Sequence, residues 1–333
     1  MRTLVLSYAE VQRLLDFPGL VPVMRATLED LSAGRTLLPP RQVLEHPSHP
    51  GLIAWMPALA AGGKLFGSKV VSVYPENRRQ GMNSHQGVVV LFSPSDGHVE
   101  AILDADAVTA ARTAAVTAAA TDFLARPDAQ VLALLGSGGL AEAHLPAMLA
   151  VRPIREVRVW SATTGHAEDF ARRAGARYGG VLRVAVDARE AVEGADIVCT
   201  LTSARKPVLP DGCVAAGAHV NAVGAAAPGY GEIEPETMGR SRVFVDSREH
   251  CLREADDVRL PLAAGQLAEE DVTEVGDAFA GRREGRTSDA EVTLFKSVGL
   301  AIEDLAAANY CLLRAEEVGI GHWVGFSGQP FAG

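Results

Sequence analysis

The chain has 333 residues, 48% of them hydrophobic and 22% charged, which is typical of a soluble globular protein with two domains. Its net charge of −10 argues against nucleic acid or an anionic membrane surface as a partner. No apolar run is long enough to cross a bilayer and the N-terminus becomes polar too early for a signal peptide, so a cytoplasmic location is expected.

The first 125 residues predict an α+β region with a largely antiparallel sheet. Ser7 and Glu10 form a capping box, which predicts a helix to about Phe17. Further elements are predicted as a helix over 21–33, strands over 52–56, 65–74, 87–92 and 98–103, and an alanine-rich helix over 104–125. The sequence Ser-Pro-Ser-Asp-Gly between the last two strands indicates a hairpin.

The segment from Val131 to Ala141 is the most informative in the chain. Five apolar residues predict a buried strand that runs directly into Gly136, Gly138 and Ala141, where a helix begins. Glycine lets the backbone approach a phosphate, and a helix N-terminus presents N–H groups and a positive dipole end. The segment therefore predicts a site for the pyrophosphate of a dinucleotide; the alternative is a glycine turn without a cofactor.

The residues after this segment alternate between predicted helices and strands. The strands cover 155–160, 183–186, 195–201, 219–223 and 242–246, and the helices cover 140–149 and 165–174. This alternation is typical of a doubly wound parallel sheet. Residues 249–286 are predicted to be irregular, a last helix runs from about Leu300 to Val318, and no structure is assigned to 319–333. The four cysteines lie far apart, so neither a disulfide framework nor a metal site is expected.

Ser161, at the end of the second of these strands, bears on the choice of cofactor. NAD-dependent enzymes usually carry a carboxylate here, which binds the ribose 2′-hydroxyl. Ser161 is followed by Ala162 and Thr163, so no carboxylate is present to repel a 2′-phosphate. The position favours NADP(H) over NAD(H), with an NAD-dependent enzyme of relaxed selectivity as the alternative.

Three cations lie in otherwise apolar surroundings before the glycine-rich segment: Arg41, Lys69 and Arg112. A buried cation needs an anionic partner. A substrate carboxylate is such a partner, and arginine binds it through two parallel hydrogen bonds. On the residues alone, the alternative is that each of the three is an ordinary exposed side chain.

Two histidines are candidates for separate roles. His85 is a candidate proton donor because an imidazole titrates near neutral pH. The alternative for His85 is a structural hydrogen-bonding role. His219 is expected to support the cofactor-binding loop.

From about Arg41 to about Val318, the sequence resembles the ornithine cyclodeaminase/μ-crystallin family. The matching segments are 67–73, 84–87, 111–115, 136–141, 217–224, 245–249 and 293–299. The resemblance implies a Rossmann-type doubly wound parallel sheet domain, residues 123–300, inserted into an α+β substrate-binding and dimerisation domain, residues 1–122 plus 301–333. It also implies a homodimer in which the sheets of the two first domains meet, and a small imine or amino acid as substrate.

The resemblance also implies roles for individual residues. Arg41, Lys69 and Arg112 match residues that hold the substrate carboxylate. The implied cofactor-binding residues are Ser84, Arg112, Thr113, Gly136, Gly138, Gly139, Leu140, Ala141, Ser161, Thr200, Val220, Asn221, Ala222, Val223 and, near the nicotinamide, Val298. Lys69, His85 and water all remain open as the proton donor, so Lys69 and His85 are the candidate catalytic residues.

One residue distinguishes between the reactions of the family. Its cyclodeaminases carry an aspartate in the loop Gly-Gly-Asp-x-Pro-Gly, where it is proposed to act as the base for the substrate amine. The matching residue in the loop from Gly224 to Gly229 is Ala226, which binds no proton. Reduction of a preformed imine needs no such base, because hydride neutralises a protonated imine.

The expected function is therefore NAD(P)H-dependent reduction of a small imine that bears an α-carboxylate, such as pyrroline- or piperideine-2-carboxylate. An alanine-type or N-alkylating amino-acid dehydrogenase is the second interpretation. A non-catalytic binding protein and an ornithine or lysine cyclodeaminase are further alternatives, the last disfavoured by Ala226.

Overall fold

The computed structural model describes residues 2–60, 65–179 and 181–325. The chain forms two compact units, one of residues 1–112 with 300–333 and one of residues 113–299. The first unit therefore takes residues from both ends of the chain, and the second is inserted between them. The boundaries expected from the sequence are 122–123 and 300–301.

Strands and helices occur in both units. In chain order, the strands are β1 Arg2–Leu6, β2 Thr36–Leu37, β3 Gln42–Glu45, β4 Leu52–Ala60, β5 Phe66–Val73, β6 His85–Phe92, β7 Val99–Asp104, β8 Val131–Leu135, β9 Glu156–Trp160, β10 Val181–Val184, β11 Ile197–Thr200, β12 His219–Ala222, β13 Arg242–Val245, β14 Val272–Glu274, β15 Thr293–Lys296 and β16 His322–Gly325. The helices are α1 Tyr8–Leu14, α2 Phe17–Ser32, α3 Ala105–Leu124, α4 Gly139–Val151, α5 Thr164–Tyr178, α6 Ala188–Val192, α7 Pro235–Gly239, α8 Arg248–Glu254, α9 Asp256–Ala263, α10 Val275–Phe279 and α11 Ala301–Val318.

The sheet of the first unit is mainly antiparallel, as predicted. Its described strands follow the order β16-β1-β7-β6-β5-β4-β2, and β3 also pairs with β4. The predicted hairpin is confirmed as β6 and β7. Four described strands of this unit were not predicted: β1 pairs in parallel with β7, β16 pairs antiparallel with β1, and β2 and β3 both pair antiparallel with β4. All four are short, and their place depends on the strands that they meet rather than on a local periodic pattern.

The first two helices differ from the prediction at their ends. The capping box is present, but α1 ends at Leu14 rather than at Phe17. Helix α2 begins at Phe17, earlier than predicted, because the Oδ1 atom of Asp16 accepts a hydrogen bond of 2.8 Å from the Gly19 N–H. Pro18 then lies in the first turn, where a missing N–H costs nothing.

Helix α11 packs on strands β4, β5 and β6, against the buried face of this sheet. Met56 and Val89 point to this face and are buried, whereas Trp55 points to the other face and is exposed. Lys69 pairs with both Met56 and Val89 in the strand register. The side chain of Lys69 is therefore directed to the buried face.

The second unit contains the predicted parallel sheet. Its described strands follow the order β10-β9-β8-β11-β12-β15-β13-β14, and each neighbouring pair is parallel. Strands are added on both sides of β8, as in a Rossmann-type fold, so the carboxyl ends of the strands share one edge. The predicted fold class is confirmed.

Helices α6 and α7 were not predicted, and three further parts of this unit differ from the prediction. Residues 293–296 form the interior strand β15, where no strand was predicted. Residues 249–286 are not simply irregular, because they include most of α8 and all of α9, β14 and α10. The third strand covers 181–184 rather than 183–186. Elements this short contain too few residues for a periodic pattern, so tertiary packing determines their bounds.

Cys199, Cys213, Cys251 and Cys311 are free and buried. None of the helices in the described part of the chain combines the length and the apolar character needed to cross a bilayer. Over the same residues, no group of three or more His, Cys, Asp or Glu side chains is arranged to hold a metal ion.

Candidate functional site

A buried cluster of charges lies in the first unit, where Lys69 of β5 and Arg112 of α3 meet the first turn of α11. The Nζ atom of Lys69 lies 2.6 Å from Asp304 Oδ2. Arg112 donates from Nε to Asp304 Oδ1 and from Nη1 to Glu303 Oε2, both at 2.8 Å. The side chains of the cations are 5% exposed and those of the carboxylates 0%. The fold thus brings together two of the three predicted carboxylate-binding residues.

Arg41 is the third predicted cation. It follows β2 in the loop that leads to β3 and is partly exposed. Its charge is close enough to lower the pKa of Lys69. Lys69 and Arg112 thus pair with two carboxylates, Glu303 and Asp304, and Arg41 adds a third cation near Lys69. Neither carboxylate was singled out from the sequence, although both lie on the last predicted helix.

The ammonium group of Lys69 is a stronger acid than that of an exposed lysine. Burial, together with Arg112 and Arg41, lowers its pKa from 10.5 to about 8, against the opposing effect of Asp304. Burial alone raises the pKa of the Asp304 carboxyl, but Arg112 and Lys69 outweigh it and hold this pKa below its ordinary value. At neutral pH, Lys69 is therefore charged and readily loses a proton.

His85 lies in the same sheet but not beside Lys69. In the register of β5 and β6, Lys69 pairs with Val89, whereas His85 pairs with Val73. This offset of four residues corresponds to about 13 Å along the strands. The His85 ring is exposed, and its Nδ1 atom lies 3.0 Å from the Oγ atom of the buried Ser84. The two candidate proton donors are therefore separated.

The glycine-rich segment of the second unit connects the end of β8 to the start of α4. Gly136 has φ of 120°, and a Cβ there would lie 2.8 Å from the carbonyl oxygen of Leu201, so glycine is required. Gly138 is the N-cap residue of α4, and no side chain caps this helix. A Cβ on Gly138 or Gly139 would meet no atom within 4 Å. Packing within the protein does not require glycine at these two positions, whereas a phosphate lying on the backbone does.

Other predicted cofactor-binding residues lie where strands of this sheet end. Ser161 follows β9, Thr200 ends β11 and Val223 follows β12. The Oγ1 atom of Thr200 is buried and has no hydrogen-bond partner within the residues that the structure describes. A buried hydroxyl without a partner is costly, and a polar ligand atom at this edge would satisfy it. The residues present therefore fit a dinucleotide.

The remaining predicted residues are more deeply placed. Val220, Asn221 and Ala222 form β12 and are fully buried, and Thr113, Ala141 and Val298 are also buried. The Asn221 Nδ2 atom donates to Thr121 Oγ1 at 2.9 Å, and its Oδ1 atom lies 3.1 Å from the Nε2 atom of His219. The side chain of Asn221 thus links β12 to α3, and His219 lies against the other end of the same amide. Leu140, in the first turn of α4, is partly exposed.

A second buried network supports the loop that contains Ala226. The Oε2 atom of Glu232 accepts hydrogen bonds from the N–H groups of Gly224 and Ala225, at 2.8 and 3.0 Å. Lys296 donates from Nζ to the carbonyl oxygen of Ala225 and, at 2.8 Å, to Asp257 Oδ2. Burial lowers the pKa of Lys296, but Asp257 and Glu232 outweigh it and raise this pKa, so the amine stays charged.

Sequence reasoning missed this network. Its members are far apart in the chain and carry no common motif. The one available signal is Lys296, a charged residue directly after the apolar Leu294 and Phe295 in the matching segment 293–299. Such a position indicates a buried cation with an anionic partner, but it does not say which carboxylate is the partner.

Comparison with known proteins assigns the chain to a family. The model of the ornithine cyclodeaminase/mu-crystallin family matches residues 1–318. The chain belongs to this family. The resemblance inferred from the sequence segments is therefore confirmed.

Three relatives illustrate the similarity. Ketimine reductase mu-crystallin of Rattus norvegicus is 38% identical over 307 residues, which is 91% of this chain and 94% of that protein. The structure of the Thermococcus litoralis Δ1-pyrroline-2-carboxylate reductase with NADH and L-proline is 33% identical, has a TM-score of 0.92 and covers 96% of this chain and 99% of its own. A dimeric archaeal alanine dehydrogenase with bound NAD is 31% identical, has a TM-score of 0.90 and covers 98% and 100%.

Proposed function

We propose that this protein is a nicotinamide-nucleotide-dependent reductase of a small imine that bears an α-carboxylate. The observation that carries the proposal is the buried cluster of Lys69, Arg112, Glu303 and Asp304, with Arg41 nearby. Its three cations are the groups that this unit offers to a substrate carboxylate. The similarity to a ketimine reductase and to a pyrroline-2-carboxylate reductase supports the same substrate class.

The carboxylate is held by Arg41, Lys69 and Arg112. Asp304 and Glu303 fix the Arg112 guanidinium through Nε and Nη1, so its plane is set before the substrate arrives. A preorganised guanidinium loses little freedom on binding, and it orients the imine for reaction. Burial also strengthens the attraction, because water is excluded from the charges.

Lys69 is the proton donor in this mechanism. A nicotinamide nucleotide, when bound, supplies the hydride. The imine carbon gains the hydride, the imine nitrogen gains a proton from the Lys69 ammonium, and the product is an α-amino acid beside a neutral lysine. A pKa of about 8 suits this transfer, because the acid form prevails at neutral pH and yet loses its proton easily. His85 is not assigned this role, because the strand register places it four residues away along β6.

The nucleotide lies on the backbone of Gly136, Gly138 and Gly139, at the N-terminus of α4. Open space over the last two residues and the unpartnered Thr200 hydroxyl support this placement. NADP(H) is preferred over NAD(H), because Ser161 offers no carboxylate against a 2′-phosphate. The relatives that bind NADH or NAD make the nicotinamide nucleotides the class to test.

The protein is a homodimer in this proposal. Trp55, Val70 and Val88 lie side by side across β4, β5 and β6, and Ile53 and Leu44 extend the same face to β3. Four of these five apolar side chains are exposed, on the face opposite to the buried Met56 and Val89. A second copy of the same face would cover them, as the dimeric archaeal relative suggests. Trp55→Glu should convert the dimer to a monomer in sedimentation velocity.

A substrate panel with NADH and with NADPH tests the proposed reaction. It contains the two cyclic ketimines pyrroline- and piperideine-2-carboxylate, pyruvate with ammonia or methylamine, ornithine and lysine. We expect nucleotide oxidation with the cyclic ketimines in the absence of any added amine. Turnover only with pyruvate and an amine would instead indicate an amino-acid dehydrogenase, to which the archaeal relative points. Ammonia release from ornithine or lysine, or nucleotide binding without any turnover, would overturn the proposal.

A further inference from the structure

The side chain of Asp246 is a buried carboxylate at the carboxyl edge of the parallel sheet, in addition to that of Glu232. Strands β13 and β15 are parallel neighbours, and Val245 pairs with Lys296. Asp246 and Ser297 are the residues that follow these two partners. The carboxylate of Asp246 is therefore placed beside the turn formed by Ser297, Val298 and Gly299, which follows β15.

Three donors from this turn converge on one oxygen of Asp246. The Oδ2 atom accepts from the Val298 N–H at 2.7 Å, from Ser297 Oγ at 2.8 Å and from the Gly299 N–H at 3.0 Å. Each residue of the turn thus contributes one hydrogen bond. Gly299 has φ of 73°, a conformation that closes the turn and suits glycine.

The other oxygen of Asp246 is held by its own element. Its Oδ1 atom accepts from the Ser247 N–H at 2.7 Å and from Cys251 Sγ at 3.3 Å. Burial, with the Asp246 charge beside it, raises the pKa of the Cys251 thiol well above its usual value, so the thiol remains a donor. Asp246 is 0% exposed, and all five of these donors are uncharged groups. The residues that follow β13 thus hold the carboxylate of Asp246, and this carboxylate holds the turn that follows β15.

We propose that Asp246 is a positioning residue, which fixes the Ser297–Gly299 turn so that Val298 lies against the nicotinamide. The inference rests on the proposed function and on the family resemblance, which implies that Val298 lies near the nicotinamide of a bound nucleotide. Hydride transfer is sensitive to the donor–acceptor distance, and a displacement of about 1 Å is enough to cost about a hundredfold in rate. A turn held by three hydrogen bonds to one atom limits such displacement.

Asp196 provides a matched control within the same sheet. It is a partly buried carboxylate that binds two backbone N–H groups, of Gln130 at 2.8 Å and of Val131 at 3.0 Å, and it pairs with Arg126. It precedes β11, so it lies at the amino edge of the strands, opposite to the edge where Asp246 lies. Loss of its charge should affect stability without affecting the nicotinamide.

The test compares Asp246→Asn with Asp196→Asn in the full-length protein. Asparagine at position 246 exchanges one carboxylate oxygen for an amide NH₂ group. This group cannot accept the hydrogen bonds that the replaced oxygen accepted. We expect kcat to fall by about ten- to a hundredfold in Asp246→Asn and the isotope effect on kcat, with NADH deuterated at the transferred C4 position, to increase. The emission of bound NADH should also move toward that of free NADH. Asp196→Asn should lower Tm and leave the isotope effect and the emission unchanged.

Ser297→Ala removes one of the three donors and serves if Asp246→Asn does not fold. Its kcat and isotope effect should change in the same direction, by about two- to fivefold in kcat. Equal behaviour of the 246 and 196 variants in both readouts would overturn the inference, because a purely structural role moves Tm alone. If the wild type binds NADH but reduces no imine, the proposed function fails, and the NADH emission still decides the role of Asp246.

Discussion

The anion sites proposed for the two units of this protein are of opposite kinds. The first unit uses charged side chains: Lys69 and Arg112 are buried against Glu303 and Asp304. The second unit uses the main chain: Gly138 and Gly139 leave the start of α4 open, with no side chain capping it. The site proposed in the first unit depends on the charges of its side chains. The site proposed in the second unit depends on the absence of side chains at Gly138 and Gly139.

The difference teaches where each site is vulnerable. A buried ion pair is expensive to form, and removal of one partner leaves the other charge uncompensated. Substitution in the charged cluster therefore affects charge balance and pKa values together. A site formed by the backbone of glycines carries no side-chain charge that a substitution could remove. Only added bulk or altered backbone geometry can therefore damage it. The contrast leads to four expected outcomes, in order of decreasing effect.

Replacement of Lys69 by methionine should have the largest effect. The change removes the proposed proton donor and one proposed carboxylate ligand while keeping a similar length, so kcat/KM for the imine should fall by about 10²- to 10⁴-fold. NADH binding, measured by fluorescence, should be unchanged because Lys69 is not among the residues expected to bind the nucleotide. Lys206→Met, at an exposed position, is the control. Near-wild-type turnover of Lys69→Met would contradict the assignment.

The pH profile should show the titration of the same amine. The pKa of Lys69 is lowered to about 8, so the ammonium form is present below this pH and is lost above it. We expect kcat/KM to fall as pH rises through about 8, approaching tenfold per pH unit. In Lys69→Arg this descending limb should disappear, because a guanidinium does not deprotonate in this range. If kcat/KM of Lys69→Arg still falls at the same pH, the titrating group is on the substrate rather than on Lys69.

A side chain on Gly138 should separate binding from stability. A Cβ there meets no protein atom within 4 Å, so Gly138→Val should leave Tm unchanged. The valine would occupy the space of a phosphate and weaken NADH binding by about tenfold or more, about 1.4 kcal/mol. Gly175→Val, also in open space but on α5, is the matched control and should bind NADH normally. Unchanged affinity in Gly138→Val would place the pyrophosphate elsewhere.

The smallest predicted effect concerns the choice of cofactor. Ser161→Asp introduces the carboxylate that is absent after β9. The ratio of kcat/KM with NADPH to that with NADH should fall by about tenfold, because the new charge repels a 2′-phosphate and binds a ribose hydroxyl. Ser288→Asp adds the same charge at an exposed position and should leave the ratio unchanged. An unaltered ratio in Ser161→Asp would show that Ser161 does not face the ribose.

Much of the fold was predictable because it depends on local sequence patterns. The apolar run that ends in Gly136 predicts β8 and the start of α4, and the alternation that follows predicts the parallel sheet. The segment between β6 and β7 predicts a hairpin, which is confirmed. Each of these signals lies within a few residues along the chain. Edge strand β16 and interior strand β15 carry no such signal, because their partners come from distant parts of the sequence.

The candidate site shows the same division. Lys69 and Arg112 were recognised from the sequence as cations in apolar surroundings. The family resemblance also showed that Ala226 stands where the cyclodeaminases carry an aspartate. Glu303 and Asp304 were not, since a charged pair in the first turn of a helix is usually exposed. Their burial depends on the packing of α11 against β4, β5 and β6.

By itself, the sequence determined the fold class, the family, the glycines at the start of α4 and the residue types present at the candidate sites. Tertiary structure alone decided which charges meet, that Lys69 has a pKa of about 8, and that Asp246 and Glu232 hold the turns at the carboxyl edge of the sheet. The physical reason is one of range. Backbone preference and hydrophobic periodicity act between neighbours in the chain, whereas burial and charge pairing act between residues that only folding brings together.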